Sequence, residues 1–172
     1  MTSGSMRAAL AAASLFVSAL FAPVSAAIIN IVAVGASNTL GWGVGGEEAY
    51  PARLQALLSA KGYDVHVANA GVLFDTTAGM LRRLDSAVPD GTRLVILQPG
   101  GNDLRFFGSR EQRAANIDAM VKRLRERHIK SIVFDPAIAP KYFQLDGIHL
   151  TAEGHAMFAA KLLPLVVSAI AK

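Results

Sequence analysis

Hydrophobic positions along the chain follow two alternating patterns, which predict strands and helices in turn. Short apolar runs, of which residues 28–34 (IINIVAV) are the clearest, are typical of strands covered on both faces of a sheet. Longer segments carry apolar residues every three to four positions, as amphipathic helices do. The predicted strands are Ile28–Val34, Asp64–Ala68, Arg93–Leu97 and Ile129–Phe134, and the predicted helices are Glu48–Lys61, Thr76–Val88, Ser109–His128 and Thr151–Ile170.

The regular alternation of strand and helix predicts the α/β fold class. Short links between such elements favour right-handed strand–helix–strand units, which build a parallel sheet flanked by helices. Gly35–Gly46 is expected to be a glycine-rich loop, and Pro164 is expected to kink or split the last helix. Asp75 is a candidate cap for the second helix.

The first 26 residues resemble a secretory signal peptide. Arg7 is followed by the apolar run Ala8–Ala22 and then by Val24-Ser25-Ala26, a small-x-small cleavage sequence. We expect cleavage after Ala26, export, and a single domain over residues 27–172. The alternative is an uncleaved membrane anchor, but a 15-residue run is shorter than the roughly 20 residues that a membrane span requires.

Composition narrows the possible chemistry. With 52% hydrophobic and 17% charged residues, the chain is not a disordered one. It has no cysteine, which excludes disulfides, thiolate zinc sites and a cysteine nucleophile. The net charge of +4 is small and scattered, and the basic run at residues 122–127 is typical of a solvated helix face, so nucleic acid is not an expected partner.

Candidate catalytic residues follow the predicted strands or precede the last helix. Ser37 comes after the first strand, Gly71 after the second and Asn102 after the third, while Asp146 and His149 precede the closing helix. Ligands bind at the carboxyl ends of parallel strands, so these residues are expected to share one crevice.

These residue types are the ones that acyl transfer needs. A serine hydroxyl becomes a useful nucleophile when a neighbouring histidine takes its proton, and an acid on the other ring nitrogen orients that histidine. Ser37, His149 and Asp146 are the candidates for these roles. The backbone N–H groups of Ser37 and Gly71 and the amide of Asn102 are candidate oxyanion donors.

On these four segments the sequence resembles the SGNH hydrolases, also called the GDSL esterase/lipase family. It is most similar to small secreted bacterial members with arylesterase, thioesterase or lysophospholipase activity. The resemblance implies a three-layer α/β/α, flavodoxin-like parallel sheet of four to five strands. It also implies a monomer without cofactor or metal that cleaves small-molecule, lipid or carbohydrate esters.

The chain departs from the family pattern in three places. Ala36 stands where the family has Asp, and Asn38 stands where it has Leu. Only 11 residues (135–145) separate the fourth predicted strand from Asp146, where relatives usually carry another helix and strand, so the sheet is expected to have four strands rather than five. Two apolar residues after Gly71, Val72 and Phe74, are expected to line an acyl pocket. Trp42 is either a substrate platform or loop packing.

Several alternatives remain beside this interpretation. Residues 41–46 literally match G-x-G-x-x-G, but they begin too far from the first strand to favour dinucleotide binding. His66, His128 and His155 are expected to be structural or surface residues rather than metal ligands. An inert carbohydrate- or lipid-binding module, or an acyltransferase on the same fold, would carry the same motifs.

Overall fold

The structure is a computed structural model that describes residues 27–105 and 108–171. The predicted signal peptide lies outside the described residues. Four strands are present: β1 (Ile29–Gly35), β2 (Val65–Gly71), β3 (Leu94–Gln98) and β4 (Lys130–Val133). The α-helices are α1 (Ser37–Leu40), α2 (Tyr50–Ala60), α3 (Thr77–Arg82), α4 (Leu84–Ala87), α5 (Asn102–Arg105), α6 (Arg110–Glu126) and α7 (Ala152–Ile170), with 3₁₀ turns at Gly46–Glu48 and Pro140–Tyr142.

The strands form one parallel sheet in the order β2-β1-β3-β4. This confirms the predicted α/β class and the lower of the two strand numbers expected for the sheet. Because the chain pairs β1 with β2 on one side and with β3 on the other, the strand order reverses at β1, and a crevice opens beyond the carboxyl end of this strand. Ser37 lies immediately after it.

Two apolar cores cover the sheet, one on each face. Alternate residues of β1 supply both: Ile31 faces the core formed with α2 and α7, and Val32 faces the core formed with α3, α4 and α6. Leu54 of α2 and Met120 of α6 are fully buried against opposite faces of the sheet. The result is the expected three-layer α/β/α arrangement.

The single helix predicted over Thr76–Val88 is wrong, because the structure divides it into α3 and α4 at Arg83. The Arg83 guanidinium bonds to Asp75 and to the backbone carbonyl of Gly35, which ties this point of the chain to the end of β1. Asp75 is therefore not the cap. Thr76 caps α3 by accepting the Gly79 N–H, at 3.2 Å.

Two further local features differ from the prediction: the segment Gly35–Gly46 is not all loop, and the last helix is not split at Pro164. The loop expected over Gly35–Gly46 contains α1, which ends at Gly41, where the left-handed backbone (φ 88°) favours glycine. Pro164 does not split the last helix, since α7 runs unbroken to Ile170. Pro164 itself is exposed, while Leu162 and Val166 on either side are buried, so the apolar contacts of these neighbours hold the helix together.

The closing helix α7 is long and apolar enough to cross a membrane by length and composition alone. Its buried residues, among them Phe158 and Leu162, pack into the core shared with α2. The apolar character of α7 is therefore explained by its place in the core.

Candidate active site

Ser37 begins α1 directly beyond β1, and only 7% of its surface is exposed. As the first residue of the helix it has no intrahelical acceptor for its N–H, which leaves this donor available to a ligand. Gly71 allows the turn to sit close to β2, because a Cβ at this position would collide with the backbone of Leu40.

His149 lies between the serine and the acid. Its Nε2 is 3.0 Å from Ser37 Oγ, and its Nδ1 is 2.5 Å from Asp146 Oδ2. The structure thus brings together the three predicted residues, which are 112 and 3 positions apart in the chain.

Asp146 is built to remain ionised. Its carboxylate accepts hydrogen bonds from the backbone N–H groups of His149 at 3.0 Å and Ile148 at 2.8 Å, and it also contacts Nδ1 of the His149 ring. These bonds, with the His149 backbone the largest contribution, lower the pKa of Asp146 to about 2. An ionised acceptor on Nδ1 keeps the proton on that nitrogen and leaves Nε2 as the lone-pair acceptor that faces Ser37.

Asn38 holds the histidine segment on both sides of His149. Its Nδ2 donates to the carbonyl of Ile148 at 3.0 Å, and its Oδ1 accepts the N–H of Leu150 at 2.8 Å. The residue directly after the serine therefore fixes the two residues that flank the histidine. The sequence showed Asn38 only as a departure from the family pattern and gave no sign of these bonds.

The predicted oxyanion donors differ in whether they already donate to another group of the protein. Asn102 donates one amide hydrogen to the carbonyl of Asp75 at 2.8 Å and lines the cleft, which leaves its second N–H for a ligand. The Gly71 N–H donates to the side chain of Asn69 at 2.9 Å. Because this N–H is already bonded, the Asn69 side chain must move aside before Gly71 can donate to a substrate. Asn69 is exposed, so its side chain has room to move.

Buried polar groups brace the Asn102 loop from below. The Asp103 carboxylate accepts the N–H and hydroxyl of Thr77, and Asn116 of α6 donates to the same hydroxyl at 3.0 Å. Asp103 and Asn116 are both buried. These contacts tie the Asn102 loop to α3 and α6, the elements packed beneath it.

A cleft of about 380 Å³ opens beside Ser37 and Asn102. Sequence reasoning missed two of its walls. One is the short segment after β4, which contributes Asp135, Ile138 and Phe143, and the other contains arginines of α5 and α6. The segment after β4 has no periodic pattern, and the pattern that predicts the helix containing Arg110 and Arg113 does not reveal that these arginines reach the cleft.

The three residues predicted to bind substrate are not among the residues that line this cleft. Trp42 is 48% exposed, and its ring centroid is 6.3 Å from that of His149, so it stands beside the histidine rather than in the cleft wall. Val72 and Phe74 are 44% and 65% exposed and do not line this cleft.

His155 shows what a structural histidine looks like in this fold. It is completely buried in α7, and its Nδ1 accepts the Tyr50 N–H at 3.2 Å. Burial lowers the pKa of His155 to about 4. His66 lies exposed on β2, and neither residue approaches Ser37 as His149 does.

The comparison with known proteins agrees with this geometry. The model of the GDSL-like lipase/acylhydrolase family matches residues 33–145, which begin within β1 and end just before Asp146. The chain belongs to the GDSL-like lipase/acylhydrolase family. The resemblance expected from Ser37, Gly71, Asn102 and His149 is thereby confirmed.

Individual members of the family are similar over most of this chain. Esterase TesA of Pseudomonas aeruginosa is 30% identical over 118 residues, which is 68% of this chain and 59% of that protein. The chain thus matches less than two thirds of the length of this curated relative. The crystal structure of TesA has a TM-score of 0.75 at 22% identity and covers 81% of this chain and 99% of that one. AlinE4, an SGNH-hydrolase family esterase, has a TM-score of 0.63 at 26% identity, covering 83% and 96%.

Proposed function

We propose that this GDSL-family protein is a serine ester hydrolase that works through an acyl-enzyme on Ser37. The observation that carries the proposal is the chain of contacts from Ser37 Oγ to His149 Nε2 (3.0 Å) and from His149 Nδ1 to Asp146 (2.5 Å). Hydroxyl, imidazole and ionised acid in this order are the parts of a nucleophile with its base and orienting acid.

The proposed reaction has two steps. Ser37 Oγ attacks the carbonyl carbon of the ester or thioester, and its proton passes to His149 Nε2. The bond to the leaving group then breaks, and His149 gives that proton to the departing alcohol or thiol. Water next attacks the acyl group on Ser37, with His149 again as base, which releases the carboxylic acid and restores the serine.

The negative charge that develops on the carbonyl oxygen needs donors at the same site. The N–H of Ser37 and the second amide hydrogen of Asn102 are available to it, and Gly71 joins them once Asn69 moves away. A preorganised donor of this kind contributes roughly 3–4 kcal/mol to the transition state.

Hydrolysis of 4-nitrophenyl butyrate tests the proposal. Ser37→Ala and His149→Ala are each expected to lower kcat/KM by at least about 10³-fold, because neither the serine nor the base acts alone. Ser59→Ala, which removes an exposed hydroxyl on α2, is the matched control and should keep wild-type activity. Full activity in Ser37→Ala would refute the proposal.

The same assay separates hydrolysis from the alternatives. An inert carbohydrate- or lipid-binding module would release no nitrophenol from any ester tested. An acyltransferase would move the butyryl group to an added alcohol in preference to water, which product analysis with 1 M methanol detects. We expect butyric acid as the main product.

Export and a monomeric working state are also part of the proposal. Cleavage after Ala26 would release the catalytic domain into the periplasm or the medium, where its ester substrate would be met. The intact mass of protein recovered from a bacterial periplasm is expected to begin at Ala27, and its elution volume to match one chain. Protein that stays with the membrane at full mass would instead support an uncleaved anchor.

A further inference from the structure

Three arginines line the cleft that contains Ser37 and Asn102. Arg105 ends α5, and Arg110 and Arg113 lie in the first turn of α6. These arginines and Ser37 line the same cavity, which has a volume of about 380 Å³. A ligand held there by its ester carbonyl is therefore exposed to the charge of this wall.

One of the three arginines is already neutralised. Arg113 donates to Asp135 at 2.5 Å and to the carbonyl of Gly100 at 3.1 Å. Both partners also line the cleft, so this pair forms a fixed and nearly neutral part of the wall. Asp135 is the one carboxylate among the described residues that line the cavity.

Arg105 and Arg110 have no such partner. Within the described residues, neither guanidinium forms an ion pair or a side-chain hydrogen bond. Glu111 follows Arg110, and the pKa of Glu111 is lowered mainly by hydrogen bonds with its own backbone and with the Ser109 side chain and, to a smaller extent, by the charge of Arg110. The wall beside Ser37 thus carries two positive charges with open donors.

Apolar side chains also line the cleft. Ile138 and Phe143 come from the segment after β4, and Leu104, which is 47% exposed, precedes Arg105. A ligand that fits this cavity has a short apolar part against these side chains and a negative group against the arginines. Guanidinium groups bind carboxylate and phosphate with paired hydrogen bonds, which neutral esters cannot form.

We infer that Arg105 and Arg110 make this cleft selective for esters that carry an anionic group, a carboxylate or a phosphate, a few bonds from the scissile carbonyl. The inference rests on the proposed ester hydrolysis at Ser37. It goes beyond that hydrolysis because it names the charge of the substrate and the two residues that recognise it.

Two pairs of esters test this selectivity and identify which side of the ester carries the charge. The first pair is 4-nitrophenyl hydrogen adipate and its methyl ester, which differ by a charge on the acyl side. The second pair is 3-acetoxybenzoate and its methyl ester, which differ by a charge on the leaving group. The readout is the ratio of kcat/KM for the anionic ester to kcat/KM for the neutral one, a quantity that does not depend on the fraction of folded enzyme.

We expect this ratio to be about tenfold or more in favour of the anionic ester in at least one pair, and to fall with rising salt. The double variant Arg105→Gln/Arg110→Gln is expected to bring the ratio down to about one. Arg125→Gln removes an exposed arginine on α6, roughly 22 Å along the helix from Arg110, and should leave the ratio unchanged.

A neutral ester that is hydrolysed as fast as its anionic partner in both pairs would overturn the inference and leave the proposed function intact. A preference that survives in the double variant would also overturn it, because the charge would then be read elsewhere. If none of the four esters releases product, the proposed function fails and this inference fails with it.

Discussion

Asn38 sets the position of the catalytic histidine in this account, because its side chain bonds on both sides of that residue. The two bonds reach Ile148 and Leu150 at 3.0 and 2.8 Å. If they are lost, the segment that carries His149 is held less firmly against Ser37, and displacements of about 1 Å can lower a rate by about 10²-fold. Asn38 is therefore a positioning residue for the proposed reaction.

Asn38→Ala is expected to lower kcat by about 10- to 100-fold while KM changes less than about threefold, since the rest of the cleft lining remains. Steady-state kinetics on 4-nitrophenyl butyrate measures this split. Asn30→Ala, which removes an exposed amide at the start of β1, is the control and should behave as wild type. Wild-type kcat in Asn38→Ala would contradict the positioning role.

Single residues were predictable where their place in the fold follows from the strands. Ser37 and Asn102 follow β1 and β3, and Gly71 ends β2, so their convergence was foreseeable from the parallel sheet. The bonds of Asn38 and the arginines on the cleft wall were not foreseeable, because they depend on how irregular segments fold in space. Asn69 lies near the end of β2, but its bond to the Gly71 N–H depends on a side-chain rotamer.

At the scale of elements, the close approach of β2 and α1 positions the serine. A Cβ on Gly71 would meet the backbone nitrogen of Leu40, so a larger residue must push α1 away from the sheet. Overpacking of this kind costs about 1–3 kcal/mol.

Gly71→Ala is expected to lower the free energy of unfolding by about that amount and to reduce kcat/KM by at least about tenfold, because Ser37 moves with α1. Urea unfolding and ester kinetics measure the two effects. Gly46→Ala is the matched control, since a Cβ at Gly46 meets nothing within 4 Å. A Gly71→Ala protein with wild-type stability and rate would show that the predicted clash is relieved without moving Ser37.

The packing of α7 on α2 makes stability depend on pH through His155. Its ring is fully buried against Tyr50, and burial lowers its pKa from 6.5 to about 4, with Glu48 opposing the shift and Arg53 adding to it. Below pH 6.5 the unfolded chain binds a proton at this ring, whereas the folded protein does so only near pH 4. His155 therefore makes no pH-dependent contribution above pH 6.5 and destabilises the fold progressively as pH falls from 6.5 to about 4.

We expect this residue alone to lower the free energy of unfolding by about 2 kcal/mol between pH 7.5 and pH 5. Urea unfolding at the two pH values gives the decrease in the free energy of unfolding for wild type and for His155→Gln. The difference between the two decreases is the contribution of His155. His66→Gln, on the exposed face of β2, should leave the decrease as in wild type. Equal decreases in wild type and His155→Gln would contradict the prediction.

The strands were more predictable than the helices, for a physical reason. Largely apolar runs such as those of β1 and β3 are stable mainly inside a covered sheet. β2 extends to Gly71, beyond the predicted Ala68. The prediction ended early because the last residues of this edge strand are small and partly exposed and carry little apolar pattern. The division between α3 and α4 depends on the bonds of Arg83, which no local sequence pattern records.

For the molecule as a whole, the fold brings residues from near both ends of the domain to one edge of a parallel sheet. The hydroxyl that follows β1 and the imidazole that precedes α7 meet there although 112 residues separate them. The two buried cores hold this arrangement from both faces of the sheet. Within the described residues, a four-stranded sheet with a short segment after β4 is sufficient for this arrangement.

Labelling with a fluorophosphonate probe shows whether His149 activates Ser37, because such a probe reacts with a serine only when a base activates it. The account predicts one label per chain, located on Ser37 by peptide mass spectrometry, and no label in Ser37→Ala or His149→Ala. Labelling of another residue, or an unlabelled Ser37 in protein shown to be folded, would contradict it.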